Sequence, residues 1–162
     1  MNQQTSTDSV YLFDKDGNKI GEKSRKEVDK IKDILEAVYV KVKIGDRTLF
    51  VKVKQKVGGL QKMNEGKWGV PIATLVRVGE STEDAFQRAC LSDIGCIPEI
   101  QNIHDRATYK FENGSIRHIY EFEATLASMP EYEGAEFILL NDKEIKDMIS
   151  KGEMAETYMV LM

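Results

Sequence analysis

The sequence of 162 residues predicts a single α/β domain, and three observations carry that prediction. Turn signals at Asp16-Gly17 and Asn113-Gly114 join segments of strand character, as β-hairpins do. Ser81 with Asp84, and Asn141 with Glu144, place complete helix-start chemistry before amphipathic stretches. Between them, Val38, Val40 and Val42 alternate with Tyr39, Lys41 and Lys43, the period of a half-buried strand. Strand pairs interleaved with helices need a sheet covered by helices.

Bulk properties narrow the function classes. Hydrophobic residues make up 41% and charged residues 31% of the chain, and the net charge is −4. A general nucleic-acid surface or an anionic-membrane surface is therefore not expected, and no window is long and apolar enough for a membrane span. MNQQTSTDS, residues 1–9, has neither a basic region nor an apolar run, so it reads as a disordered tail rather than a leader. The domain is expected to span 10–162. Cys90 and Cys96 lack metal-site spacing and read as reduced thiols of a cytoplasmic protein.

Taken in order, Val10–Phe13 and Asn18–Gly21 form the first hairpin. Ser24 and Glu27 read as the capping box of a helix whose inner face is Val28, Ile31 and Leu35. Ala37–Ile44 and Thr48–Gln55 are paired strands joined at Gly45-Asp46. Their lysines (Lys41, Lys43, Lys52, Lys54, Lys56) read as a solvated sheet edge. VGGLQKMNEGK, residues 57–67, is the expected lid or rim. Trp68 opens an apolar strand that reads first as core.

The stretch Trp68–Cys96 organises the rest. A strand runs into Gly79-Glu80-Ser81, and a helix follows that ends at Gly95. Phe86, Cys90 and Ile94 give it one apolar stripe. Beyond it, Ile97–Ile103 leads into the second hairpin, where His104 and His118 read as surface or cross-strand histidines. MPEYEGAE, residues 129–136, is an acidic loop before the strand Phe137–Leu140. A helix from Asn141 to Gly152 presents Ile145, Met148 and Ile149 inward. The tail carries Tyr158, Val160 and Leu161 on a short helix, for packing or for a dimer contact.

From Glu80 onward, Arg88 and Gly95 stand where the Nudix box has its arginine and closing glycine, and the sequence resembles that family. Other positions depart from it. The opening glycine is Thr74, the glycine before it is Ala73, and the three box glutamates are Ala89, Ser92 and Asp93. The opening YLFDKDGNKIGEKSRKEV, and Trp68 twelve residues before Glu80, are similar to the subgroup nearest isopentenyl diphosphate isomerase. That subgroup's histidine near Ile34–Ala37 is absent, so an isomerase's metal chemistry is not supported.

The resemblance implies a Nudix α/β/α sandwich with a mixed β-sheet. It also implies Mg²⁺ or Mn²⁺ held by carboxylates at i, i+3 and i+4 of the box helix, bridging substrate phosphates. Here that face offers a methyl, a hydroxyl and one carboxylate, so the metal site reads as degenerate. By resemblance the candidate catalytic residues are Glu80, Arg88, Asp93 and Glu133, the candidate metal ligands Asp93 and Glu131, and the candidate substrate contacts Trp68 and Lys54. Read from residue types alone, Glu80 and Arg88 are an ion pair between turn and helix, and Glu131, Glu133 and Glu136 belong to a solvated loop. Two functions follow. One is binding of a nucleotide or other diphosphate-containing small molecule with weak or no hydrolysis and no obligatory cofactor. The other is an active hydrolase using acids outside the box. A homodimer through the C-terminal segment is a third role left open.

Overall fold

A computed structural model describes residues 8–53 and 66–162. In chain order these residues form β1 (Ser9–Phe13), β2 (Lys19–Ser24), β3 (Ile34–Ile44), β4 (Arg47–Lys52), β5 (Trp68–Gly69), β6 (Ile72–Leu75), α1 (Thr82–Ile94), β7 (Glu99–Lys110), β8 (Ile116–Thr125), β9 (Phe137–Leu140), α2 (Asp142–Ser150) and α3 (Glu156–Met159). The strands make one mixed sheet with β3 at its centre. Along one edge β3 pairs in parallel with β8, from Ile34 opposite Ile116 to Lys43 opposite Thr125. Along the other it meets, in succession, β1 at Ile34, β6 at Ala37–Val40 and β4 at Val42–Ile44, all antiparallel.

Alternation on β3 builds two cores. Val38, Val40 and Val42 pack with Leu49, Ile72 and Phe122 beneath Ala85, Phe86, Ala89, Cys90 and Ile94 of α1. Phe86 lies stacked on Phe122 with ring centroids 4.9 Å apart. On the opposite face Ala37 and Tyr39 pack with Phe50, Phe111 and Ile119 against Ile145 of α2 and against Tyr158 and Leu161. A sheet with helices on both faces is the α/β/α sandwich expected. Each large side chain buried in this way contributes about 1.5–3 kcal/mol. β3 is therefore not half-buried: Tyr39 is 0% exposed, on a face the alternation assigned to solvent.

Three further expectations are corrected. The helix from Ser24 is absent; Arg25–Glu27 is one 3₁₀ turn, and Ser24 makes no side-chain cap. Local carboxylates take the backbone instead. Asp33 Oδ2 accepts from the Asp29 N–H at 2.8 Å, and Asp29 Oδ1 accepts from Ile31 and Lys32 at 2.9 and 3.2 Å. Such bonds compete directly with a helical ladder. Leu35 belongs to β3, and Ile31 is 66% exposed.

Those lysines of the series that are described, Lys41, Lys43 and Lys52, do not line an edge. Lys41 and Lys43 lie on the central strand, and Lys41 Nζ is 3.5 Å from the buried Glu121 carboxylate. Lys54 and Lys56 lie outside the described residues, as do residues 1–7 of the expected tail and 57–65 of the expected lid. Ser9, assigned to the tail, is already in β1 opposite Ser24.

The C-terminal segment packs on its own chain. Trp68 donates its N–H to Glu153 O at 2.9 Å, and Ala155 donates to Trp68 O at 2.7 Å, which seats α3 beside β5. Tyr158 and Leu161 are consequently buried. Among the described residues no helix is long and apolar enough to cross a membrane.

Cys90 is fully buried, and burial, with Asp93 and Cys96 nearby, pushes its thiol up to about 12. The thiolate is the reactive form, so Cys90 should be inert in the native protein. A thiol-specific reagent is expected to label Cys96 promptly and Cys90 only after unfolding. Equal native labelling of both, read by mass spectrometry, would contradict this.

Candidate functional site

The site is built around the turn from β6 into α1. Val76 donates its N–H to Glu36 O at 2.9 Å, extending the β6–β3 pairing to the start of the turn. Gly79 then takes φ +89°, a conformation that favours glycine, and donates its N–H to the Tyr11 hydroxyl at 3.0 Å. Ser81 accepts from the Asp84 N–H at 3.1 Å while Asp84 accepts from the Ser81 N–H at 3.0 Å, so the expected capping box is present. At the far end Gly95 has φ +75° and donates to Cys90 O at 3.1 Å.

Glu80 and Arg88 are brought together by this frame. Arg88 donates Nε to Glu80 Oε2 at 2.5 Å and Nη2 to Glu80 Oε1 at 3.0 Å. The Arg77 N–H donates to the same Oε1 at 2.9 Å. Arg88 also donates Nη2 to Leu75 O at 2.9 Å and Nη1 to Thr74 Oγ1 at 3.3 Å. The threonine in place of a glycine thus gains a partner. The pair clasps strand, turn and helix, and both carboxylate oxygens are engaged.

Burial pushes the Glu80 carboxyl up, but the hydrogen bonds from Arg88 and Arg77, with their charges, outweigh it and hold the carboxyl below its ordinary value. Because the folded value lies below the unfolded one, this contribution is complete above pH 4.5 and is lost as the pH falls through the folded value. Glu80→Gln is expected to flatten the decline of the thermal midpoint below that pH. A slope identical to wild type would show that the clasp adds nothing to acid stability.

The three positions where the resemblance implies metal-binding carboxylates diverge. Ala89 is 2% exposed inside the first core. Ser92 points to solvent. Asp93, half-buried, lies on the wall of a cleft of about 390 Å³ that runs along β6. Among the described residues no three His, Cys, Asp or Glu side chains converge as metal ligands. A hard divalent cation needs several oxygens in near-octahedral array. The donor set on α1 does not fit one.

The acidic loop enters the cleft by a different residue from those singled out in the sequence. Tyr132 lines it, while Glu131 and Glu133 are exposed and outside its wall. The Tyr132 hydroxyl donates to Ser92 O at 2.8 Å, fixing the loop to the end of α1. A Cβ on Gly95 would stand 3.2 Å from the Tyr132 ring, so the helix-ending glycine also makes room for it. Trp68 is half-buried against the second core and does not line the cleft; Lys52 Nζ lies 5.8 Å from its ring centroid. Lys54 is outside the described residues.

Three cationic side chains line the cleft among the described residues, Arg25, Lys52 and Arg117, against the single carboxylate of Asp93. None of the three was singled out as a site residue in the sequence, apart from Lys52's place in the lysine series. Arg117 left a trace: on β8 it shares a face with Ile119 and Glu121, an unusual place for a guanidinium. Arg25 left none.

No family model matches this sequence, and no curated protein does. Solved structures do match. DR0079 of Deinococcus radiodurans superposes with a TM-score of 0.66 at 14% identity, over 91% of this chain and 92% of its own. The MutT protein of Methanosarcina mazei Go1 gives 0.60 at 16%, over 78% and 88%. RenU, a Nudix hydrolase of M. smegmatis, gives 0.54 at 12%, over 93% and 88%. The chain has the fold of Nudix hydrolases.

Proposed function

We propose that this is a Nudix-superfamily protein of the isomerase-like subgroup whose box has kept its frame and lost most of its metal chemistry. It binds a nucleotide or another diphosphate-containing small molecule in the cytoplasm, with weak or no hydrolysis. The observation that carries this reading is the divergence along α1: Ala89 is in the core, Ser92 faces solvent, and Asp93 alone reaches the cleft. The cleft's cations support an anionic ligand, since their sign is opposite to the chain's net charge of −4.

The position of Asp93 favours one second reading, an active hydrolase needing Mg²⁺ or Mn²⁺, with Glu131 and Glu133 as further acids. The test pairs calorimetric binding with phosphate or pyrophosphate release across nucleoside diphosphates, sugar nucleotides and prenyl diphosphates, with each metal. Binding without turnover is the expected result. Metal-dependent turnover abolished by Asp93→Ala would establish the second reading, and binding of no compound in the panel would remove both.

A further inference from the structure

The arginines of this fold differ in what holds them. Arg88 is engaged by Glu80, and Arg106 by Glu121. Arg117 is held by neutral groups. Its Nη1 donates to the Tyr39 hydroxyl at 3.0 Å, and its guanidinium carbon lies 5.6 Å from the centre of the Phe111 ring. Tyr39 and Phe111 are themselves buried in the second core, so the fork is set on rigid supports. No carboxylate of the described residues forms an ion pair with Arg117 or Arg25, and both line the cleft. A guanidinium has five N–H donors; one is used here, leaving the others and the full charge available.

Arg25, Lys52 and Arg117 give the wall of the cleft three positive charges against the one carboxylate of Asp93. A surplus of positive charge on a cleft wall favours an anion, and the planar fork of arginine matches two phosphate oxygens at once. A volume of about 390 Å³ leaves room beyond a single phosphate for the remainder of a small ligand.

Resting on the reading above, we propose that Arg117 and Arg25 form the phosphate subsite of this cleft and hold a phosphate- or diphosphate-bearing ligand without a divalent cation. The guanidinium pair does by direct hydrogen bonding what a bridging metal does where carboxylates are present. Arg117 is preset by Tyr39, and Arg25 approaches from the turn after β2. It is the first residue of the 3₁₀ turn Arg25–Glu27 and lines the cleft from there.

The test uses the full chain and two probes, ADP and inorganic pyrophosphate, titrated calorimetrically in EDTA and then in excess Mg²⁺. Binding is expected in EDTA, and Arg117→Gln and Arg25→Gln should each weaken it about tenfold, the scale of a lost charge-assisted hydrogen bond. Lys143→Gln, on the exposed side of α2, should leave it unchanged. Thermal melts check folding, and the exposed Arg25 provides a variant that does not disturb the core. Binding in Mg²⁺ that EDTA abolishes would overturn the metal-free subsite and leave the proposed function standing. Binding in EDTA that neither arginine variant weakens would overturn the placement of the subsite. No binding of either probe in both conditions would overturn the subsite, while the wider panel separately decides the function.

Discussion

Arg106→Ala is expected to destabilise the protein by about 3–5 kcal/mol, the cost of taking from a buried carboxylate the partner that hydrogen-bonds it. Glu121 is 0% exposed on the α2 face of β8. Arg106 donates Nε to its Oε1 at 2.7 Å, with Nη2 at 2.5 Å, and also donates Nη2 to Leu161 O at 3.0 Å. Lys41 is 3.5 Å from Oε2, which accepts no hydrogen bond among the described residues, so Lys41 supplies charge rather than a bond.

The bulge in β7 between Asp105 and Thr108, where Ala107 takes φ +59°, lies beside Arg106 and re-aims this part of the strand. Urea denaturation measures the loss. Adding Glu121→Leu to Arg106→Ala should recover most of it, since the apolar pair leaves no charge buried. A loss below about 1 kcal/mol for Arg106→Ala alone would place the pair with ordinary surface bridges.

Ala89→Glu, the substitution that restores the first box glutamate, is expected to cost about 3 kcal/mol or more, because it puts a carboxylate in an apolar site. Ala89 is 2% exposed among Phe86, Cys90 and Val76. Ser92→Glu, at an exposed position, should change stability by no more than about 0.5 kcal/mol. The penalty at position 89 should shrink in acid, where the new carboxyl is neutral. Denaturation of each variant at neutral pH and in acid checks both statements. A neutral effect of Ala89→Glu would mean that this end of α1 still has room for a metal ligand. The expected result means that restoring the box requires repacking its helix as well as replacing two side chains.

Much of this protein was determined by residues within a few positions of one another. The caps of α1 and α2 formed as read, because two side chains three residues apart each accept the other's backbone N–H whatever the helix packs against. The Asn113-Gly114 hairpin formed for the same local reason, and Glu80 met Arg88 because the turn and two helical turns fix their separation. Where two local signals competed, the sequence was ambiguous. Ser24 and Glu27 have the form of a helix start, yet Asp29 and Asp33 captured the backbone and β3 took Leu35. The alternation of β3 gave its register, but whether its second face met water depended on α2 and α3, more than a hundred residues later.

The candidate site divides in the same way. The losses at Ala89 and Ser92 can be read from the chain alone, but their meaning depends on one being buried and the other exposed. Arg25, Tyr39, Arg117 and Tyr132 have no mutual spacing that marks them as neighbours; only the closing of the sheet around β3 brings them to one cleft. The sequence by itself determined the elements and the frame of the turn, whose partners are bonded within a few residues. Tertiary structure decided which charges face the cleft, because that depends on which distant surfaces are removed from water together.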